Sequence, residues 1–268
     1  MQKVNIDTVM EICFRNSGAK YIDKYCDMHK KQWIQFSDGR ANCPKCFCDS
    51  RGQAFQQKVN QDIQKEQESN ICLHLERYSV FSNQKLLTST LENYKTICEE
   101  TTLAKQKAEQ CAKWYKFGNK FNVVITGNAG VGKSHLAYSI AKSVSEKRRC
   151  LFISVPKMVS LILDSFNNKE SKYTQEYFLK LMEEADILVI DDLGAEVGRI
   201  DTEKVASDFI SKLLFNVYES RQGKSTITTS NLRGERAKQI YDDRMISRLN
   251  ADVTKETIIT FKNAKDMR

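Results

Sequence analysis

Short β-branched runs alternate with helical patterns from residue 122 to residue 261, and this alternation constrains the fold more than any other feature. The runs are NVVITG (122–127), CLFISV (150–155), DILVIDD (186–192), STITTSN (225–231) and ETIITF (256–261). Helical patterns such as KSHLAYSIAKSVSEK and DTEKVASDFISKLLFNVYESR lie between the first four. Strands that alternate with helices favour a parallel sheet covered on both faces. The sequence therefore predicts an α/β fold built on a five-stranded parallel sheet.

The first run leads directly into GNAGVGKSH (127–135), which fits the phosphate-loop pattern G-x-x-x-x-G-K-[ST] between a strand and a helix. Its glycines let backbone N–H groups curl around phosphate oxygens at a helix N-terminus. Lys133 is suited to neutralise the β- and γ-phosphates, and Ser134 to hold Mg²⁺. The predicted nucleotide-binding residues are Gly127, Asn128, Ala129, Gly130, Val131, Gly132, Lys133, Ser134 and His135.

The second half of such a site is an apolar strand that ends in acidic residues, and ILVIDDLGAE (187–196) has this form. Asp191 lies at the carboxyl tip of the strand, where its carboxylate can hold Mg²⁺ through water. Asp192 is placed to polarise the water that attacks the γ-phosphate. An acidic loop could supply either residue alone. The occurrence of both Asp191 and Asp192 after a phosphate loop favours a catalytic site over such an acidic loop.

Two further polar positions extend the predicted site. Asn231 ends the run STITTSN, where its amide could orient the attacking water, although Asn is also an ordinary turn residue. In DDRMISRLN (242–250), Arg244 and Arg248 are four residues apart and so share one helical face. Such an arginine could reach the γ-phosphate of a neighbouring subunit and stabilise the transition state. Two surface arginines are the alternative interpretation.

Together these motifs resemble the P-loop AAA+ (ASCE) ATPases, and within them the DnaC/DnaI-type helicase loaders of bacteria and phages. The stretches GNAGVGKSHLAYSIAK, ILVIDDLGAE, TTSN and DRMISRL, with the lead-in TLENYK, follow the order of that family over residues 86 to 261. The resemblance implies that the nucleotide is ATP and that Asn231 is the sensor. It also implies that Arg248 is the arginine finger and Arg244 a second sensing arginine.

Two departures from most AAA+ proteins bear on activity. Many carry Glu where this chain has Asp192, and a shorter carboxylate positions water less well, so slow ATP hydrolysis is expected, although a second Asp is common in the loader branch. The resemblance implies that single-stranded DNA stimulates the hydrolysis. Only the 20 residues 249–268 follow Arg248, too few for the helical lid of most AAA+ proteins, and the loader branch also lacks one. The resemblance therefore implies a lidless ATP switch that assembles as a homo-oligomer. Its expected partners are a DnaB-type replicative helicase and single-stranded DNA.

The stretch CDMHKKQWIQFSDGRANCPKCFC (26–48) has the spacing of a zinc site. Zinc favours four Cys or His ligands arranged as two short-spaced pairs. Cys26 with His29 and Cys43 with Cys46 form such pairs, and Cys48 is an alternate ligand or a bystander. A set of reduced, partly buried thiols is the competing interpretation. In the loaders that the chain resembles, the N-terminal zinc-binding region contacts the helicase.

These observations divide the chain into three parts. We predict a zinc-binding, helicase-interaction module (1–50), a helical linker (51–85) and an AAA+ ATPase domain (86–268). The linker assignment rests on residues 51–70, which are rich in Gln, Lys and Glu and contain no proline.

Composition indicates the cellular compartment of the protein more than its function. The 268 residues include 42 Lys and Arg against 34 Asp and Glu, a net charge of +8 without a basic tail. This surplus is compatible with a polyanionic partner or an ordinary basic surface. Nine cysteines favour a reducing compartment, where paired cysteines bind metal more often than they form disulfides. The polar N-terminus and the lack of an apolar run of about 20 residues predict a cytoplasmic protein without a membrane segment.

Two other functions remain open at this point. An IstB-type transposition helper ATPase shares nearly the same core, although a zinc-bearing N-terminus argues against it. A zinc-containing DNA-binding regulator, in which ATP drives only oligomerisation, is the other. The cysteine-rich stretch shows no clear recognition-helix pattern of the zinc-finger kind.

Overall fold

The computed structural model describes residues 18–47, 49–50, 57–58, 60–61, 69–195, 208–232 and 234–267. The chain divides into two compact units, residues 1–67 and residues 68–268. Each unit has its own β-sheet. Within the described ranges, no helix combines the length and the apolar character that crossing a membrane requires.

The first unit contains a small antiparallel sheet of three strands. They are β1 (Lys20–Tyr25), β2 (Gln32–Gln35) and β3 (Ala41–Asn42), in the order β1-β2-β3. Among the described residues of this unit, the buried apolar side chains are Ile34, Cys26, Cys43 and Pro44. Two of these four are cysteines of the predicted zinc site.

The second unit is built on the predicted five-stranded parallel sheet, which is confirmed. Its strands are β4 (Val123–Thr126), β5 (Cys150–Ser154), β6 (Ile187–Leu193), β7 (Ser225–Ser230) and β8 (Ile258–Thr260). All neighbouring pairs run parallel, in the order β5-β6-β7-β4-β8. β7 thus lies between β4, which leads into the phosphate loop, and β6, which carries the two aspartates.

Helices cover both faces of this sheet. They are α1 (His74–Tyr78), α2 (Glu99–Lys116), α3 (Lys133–Lys142), α4 (Val155–Asn167), α5 (Gln175–Glu184), α6 (Asp208–Ser220), α7 (Gly234–Ile240) and α8 (Asp243–Leu249), with a 3-10 turn at Gln84–Thr88. Residues 201–207, which the sequence analysis included in the helix before β7, lie outside the described residues. After α8 the described chain forms β8 and an extended segment without a helix.

The alternation of side chains along β6 explains why the fold has two cores. Leu188 and Ile190 pack with α4, α5, α6 and α8 on one face. Ile187 and Val189 pack with α2 and α3 on the other. Successive strand residues point to opposite faces, so a continuous apolar run such as ILVI is what a strand buried on both faces requires.

The boundary of the second unit differs from the prediction. Residues 69–85, assigned to a linker from the polar composition just before them, pack on the sheet instead. The N–H of Val80 donates to the carbonyl of Phe152 (2.8 Å), and the Val80 carbonyl accepts from the N–H of Ser154 (2.9 Å). Phe81 stacks on Phe152 with ring centroids 5.0 Å apart. These contacts place residues 69–85 in the second unit, which begins at residue 68.

Arg221 is a buried charge that ties the end of α5 to the start of β7. Its side chain is 3% exposed, and its guanidinium donates to the carbonyls of Met182 (2.6 Å), Ala185 (2.8 Å) and Ser225 (2.6 Å). Burial lowers the pKa of Arg221 to about 10, so the group stays protonated at neutral pH. Its planar fork of donors suits several carbonyls at once.

We expect Arg221→Met to lower the free energy of unfolding by about 3 kcal/mol, because it leaves buried carbonyls without donors. Urea denaturation measures the change. The exposed Arg149 is the control, and Arg149→Met should alter stability by less than about 0.5 kcal/mol. Equal effects of the two substitutions would contradict the structural role of Arg221.

Candidate functional site

A cavity of about 520 Å³ opens at the carboxyl edge of the parallel sheet. The strand order makes the loop after β4, the end of β6 and the end of β7 meet there. Lys133, Ser134, Asp191, Asp192 and Asn231 all line it. The volume lies within the usual range of about 300–1,000 Å³ for ligand pockets. The sequence-predicted site residues of three separate motifs are thus brought into one cavity.

The phosphate loop has no room for side chains at two of its glycines. A Cβ on Gly127 would lie 2.6 Å from the Cβ of Phe261. Gly132 begins α3 with φ 83°, and a Cβ there would lie 2.6 Å from Cε2 of Tyr94. The backbone of the loop therefore lies close to its neighbours, with the N-terminal end of α3 at the cavity. Backbone N–H groups at a helix N-terminus favour a bound anion such as phosphate.

Lys133 connects the phosphate loop to the end of β7. Its side chain is only 4% exposed. Its Nζ donates to the carbonyl of Asn128 (2.8 Å) and to Oδ1 of Asn231 (2.6 Å). An ammonium group only donates, so Asn231 must present its oxygen to Lys133 and its NH₂ elsewhere. The predicted sensor thus lies in contact with the predicted phosphate-binding lysine.

The two aspartates at the end of β6 have different surroundings. Asp191 is 3% exposed. Burial, and then the neighbouring Asp192 carboxylate, raise the pKa of Asp191 to about 6, while hydrogen bonds from Thr229 and Ser134 oppose this rise. Asp192 is partly exposed and has a left-handed backbone with φ 57°. One carboxylate is therefore enclosed next to the phosphate loop, and the other is reoriented by an unusual turn.

The donor set at this edge fits Mg²⁺. A hydroxyl from Ser134 and a carboxylate from Asp191 are hard oxygen ligands, which Mg²⁺ prefers together with water and phosphate oxygens. Both residues line the same cavity. The enclosed carboxylate of Asp191 also favours a nearby cation, because burial alone disfavours its charge.

Residues before β4 form another wall of the cavity, which the sequence analysis did not assign to the site. Tyr94 is 3% exposed, and its hydroxyl donates to the carbonyl of Val131 in the phosphate loop (3.0 Å). Nε2 of His135 lies 2.9 Å from the carbonyl of Thr90. The predicted ligand His135 therefore anchors the lead-in TLENYK to α3. That motif was the available signal for Tyr94.

The segment after β8 also lies against the phosphate loop. The carboxylate of Glu100, in the first turn of α2, accepts from the backbone N–H groups of Lys262 (3.2 Å), Asn263 (3.1 Å) and Ala264 (2.9 Å). Beyond this clamp, the N–H of Met267 donates to the carbonyl of Gly130 (3.0 Å). Met267 lines the cavity. No sequence motif indicated this contact.

Arg244 and Arg248 lie outside the cavity in the isolated chain. Arg244 pairs with Asp242 at 2.8 Å and is 77% exposed. Arg248 pairs with Glu219 and is 41% exposed. Among the described residues that line the cavity, neither arginine is present. Both belong to α8, as the spacing predicted, and both are accessible to a neighbouring molecule.

The four predicted zinc ligands are brought together in the first unit. The ligand atoms of Cys26, His29, Cys43 and Cys46 all lie within 4.8 Å of one another. The two sulfurs of Cys26 and Cys46 are 3.7 Å apart, and Nδ1 of His29 lies 3.2 Å from Sγ of Cys46. Four ligands around tetrahedral zinc, with Zn–S of about 2.3 Å, are about 3.5–3.8 Å apart. Cys48 lies outside the described residues.

Local structure and electrostatics support this cluster as a metal site. Nε2 of His29 faces the carboxylate of Asp49 at 3.7 Å, the outer partner that metal-binding histidines usually have. Backbone hydrogen bonding from His29 lowers the pKa of Cys26 to about 6. Burial and the adjacent thiols raise the pKa of Cys46 to about 11. A divalent cation favours the thiolate form of both.

The family of the chain can now be stated. The IstB-like ATP binding protein family matches residues 47–254, more than half of the sequence. The chain belongs to this family. Over an aligned region of 161 residues it is 27% identical to the replicative helicase loader DnaC of Escherichia coli. This region covers 60% of this chain and 62% of DnaC. The chain thus spans less than two thirds of the length of this curated relative.

Solved structures agree with the fold of this IstB-like protein. The DnaC helicase loader has a TM-score of 0.53 at 20% identity, with 67% of this chain and 100% of that chain covered. AMPPCP-bound DnaA from Aquifex aeolicus has a TM-score of 0.52 at 19% identity, with 70% of this chain and 53% of that chain covered. At these identities the likeness establishes the fold alone. The predicted relationship to proteins of the DnaC type is confirmed by the family match and by the sequence identity to DnaC.

We expect Glu100→Gln to loosen the segment after β8, because a neutral amide accepts more weakly than a carboxylate. Exchange of the backbone amide hydrogens of residues 262–264 should become about fivefold faster, which corresponds to about 1 kcal/mol. Hydrogen exchange with mass spectrometry measures it. The adjacent Glu99→Gln is the control. Unchanged exchange in the Glu100 variant would contradict the clamp.

Zinc content tests the Cys/His cluster. We expect the wild-type protein to purify with one zinc per chain and the Cys43→Ser, Cys46→Ser double variant with none, because serine is a poor zinc ligand. Elemental analysis measures the ratio. Cys72→Ser, which changes an exposed thiol outside the cluster, should keep the metal. A wild-type chain without zinc under metal-replete expression would contradict the assignment.

Proposed function

We propose that the protein is an ATP-dependent loader of a DnaB-type replicative helicase onto single-stranded DNA, acting in the cytoplasm at the start of DNA replication. The observation that carries this proposal is the occurrence, in one chain, of the Lys133–Asp191–Asn231 cavity and a separate Cys/His cluster. The likeness to DnaC, named a replicative helicase loader, supports it. The second unit is the ATP-responsive part in this proposal, and the first unit is the helicase-binding part.

The residues of the cavity have distinct roles in ATP binding and hydrolysis. Lys133 neutralises charge on the β- and γ-phosphates, and N–H groups of the phosphate loop donate to their oxygens. Ser134 and Asp191 would hold Mg²⁺, which would neutralise charge on the phosphates. Asp192 accepts a proton from the attacking water, and the NH₂ group of Asn231 orients that water. The shorter Asp in place of Glu supports slow turnover, which we expect single-stranded DNA to stimulate.

Completion of the site requires a second copy of the chain. Arg248 is exposed on α8 and lies away from its own cavity. In an oligomer it would stabilise negative charge on the γ-phosphate of the neighbouring subunit, with Arg244 as a second sensing group. ATP binding would then control assembly on the helicase, and hydrolysis would release it.

The first unit supplies the docking element. Zinc held by Cys26, His29, Cys43 and Cys46 would contribute folding free energy to this small unit. A rigid module of this kind can bind a partner while the other unit changes its nucleotide state. This assigns helicase binding to the first unit and nucleotide response to the second.

An IstB-type transposition helper is the second candidate, and the description of the matched family favours it. Such a protein would bind duplex DNA without sequence preference and associate with a transposase. The Cys/His cluster argues for the loader, because a helper needs no separate module to hold a helicase. Duplex DNA binding without helicase binding would support the helper.

Capture of a DnaB-type helicase by the purified protein tests the loader. We expect wild-type protein to retain the helicase in the presence of ATP. Lys133→Ala should bind ATP at least about 100-fold more weakly because it loses the charge that faces the phosphates. The Cys43→Ser, Cys46→Ser variant should bind ATP normally and lose the helicase. Size-exclusion chromatography with light scattering measures the complexes.

Two outcomes of this experiment contradict the proposal in different ways. Helicase capture that persists in the cysteine variant would remove the first unit from helicase binding. No capture in any nucleotide state, together with duplex DNA binding, would replace the loader with the transposition helper.

A further inference from the structure

The hydrogen-bond ladder between β6 and β7 is interrupted where the two aspartates lie. Ile190 pairs with Thr228 and Leu193 with Ser230, so three steps along β6 match two along β7. Such a bulge leaves a residue without a ladder partner and reorients its side chain. Asp192 lies in the bulge with φ 57°, a conformation that L-residues rarely adopt. Hydrogen bonds from neighbouring residues are needed to stabilise the left-handed backbone of Asp192.

The hydroxyl of Thr229 takes the place of the missing ladder bond. Thr229 is completely buried. The backbone N–H of Asp192 donates to Thr229 Oγ1 at 2.9 Å, and this Oγ1 donates to Oδ1 of Asp191 at 2.7 Å. An amide N–H can only donate, so the hydroxyl proton is committed to the carboxylate. One side chain therefore fixes the carboxylate of Asp191 and the backbone of Asp192.

The next residue of β7 holds the other end of the bulge. Ser230 Oγ donates to the carbonyl of Leu193 at 2.7 Å and accepts from the N–H of Leu232 at 3.0 Å. Thr229 and Ser230 thus enclose the bulge with side-chain hydrogen bonds. Asn231 follows them directly and contacts Lys133, so three consecutive residues at the end of β7 contact the aspartates, the bulge and the phosphate-binding lysine.

We propose that Thr229 is a positioning residue for ATP hydrolysis, which fixes the place from which the Asp192 carboxylate acts on the attacking water. This inference rests on the ATPase activity proposed above. Thr229 is absent from the described residues that line the cavity, so it acts through the aspartates and not on the nucleotide. Removal of the Thr229 hydroxyl should lower the rate of ATP hydrolysis and leave nucleotide affinity nearly unchanged.

The neighbouring Thr228 provides a matched control. It is 2% exposed on the same strand, and its Oγ1 lies 2.9 Å from the hydroxyl of Tyr218. Thr228→Val therefore removes a buried hydroxyl and a hydrogen bond, as Thr229→Val does, at a position away from the aspartates. A role of Thr229 that is only structural predicts similar effects of the two substitutions.

The experiment compares steady-state ATP hydrolysis with binding of a fluorescent ADP analogue in wild type, Thr229→Val, Thr229→Ser and Thr228→Val. We expect Thr229→Val to lower kcat about 100-fold, since a misplacement of about 1 Å can cost this much. Its KM and its ADP affinity should stay within about threefold, as expected when an interaction serves only the transition state. Thr229→Ser, which keeps the hydroxyl, should restore turnover, and Thr228→Val should keep it.

Different results would contradict the positioning role of Thr229 and the proposed ATPase activity. A Thr229→Val protein that turns over at the wild-type rate overturns the positioning role, and so does an equal loss in Thr228→Val. If the valine variant does not fold, Thr229→Ala against Thr229→Ser makes the same comparison of hydroxyl present and absent. A wild-type protein that binds nucleotide and releases no phosphate overturns the proposed ATPase and the positioning role with it.

Discussion

The ammonium group of Lys133 is held out of water at the carboxyl edge of the sheet. Burial of a charge costs several kcal/mol unless hydrogen bonds and opposite charge offset it. Lys133 has Asn128 and Asn231 as acceptors, and the carboxylate of Asp191 lines the same cavity. These groups come from three strands, so the charge is tolerated only where β4, β7 and β6 end together. The strand order β6-β7-β4 brings these three strand ends together.

Much of the second unit could be predicted from the sequence because its signals are local. The β-branched runs mark strands buried on both faces, and the phosphate loop needs a strand before it and a helix after it. Once those are placed, the carboxyl ends of parallel strands bring Asp191 and Asn231 to Lys133. The Cys/His cluster was readable for the same reason, because each ligand pair is closely spaced in the sequence.

Contacts between distant segments could not be predicted in this way. The role of Thr229 depends on a register shift between two strands, which no local pattern encodes. The clamp by Glu100 joins residues far apart in the sequence, and Arg221 is an ordinary charged residue until its surroundings bury it. The contacts of Val80 and Phe81 with β5 have no signal in the polar composition of residues 51–70, on which the linker prediction rests. Local chemistry thus identifies the reactive groups, and tertiary structure determines which residues hold them.

The ion pairs of α8 have a consequence for the oligomer proposed above. Arg248 is paired with Glu219 and Arg244 with Asp242, all on the surface. Exposed pairs of this kind contribute about 0–1 kcal/mol, so each arginine is held in place at little cost to its release. A triphosphate at a subunit boundary carries more negative charge in a less aqueous setting than either carboxylate. In the oligomer proposed above, the γ-phosphate of a neighbouring subunit would compete with Glu219 for Arg248 and with Asp242 for Arg244, and either arginine could change partner at little cost.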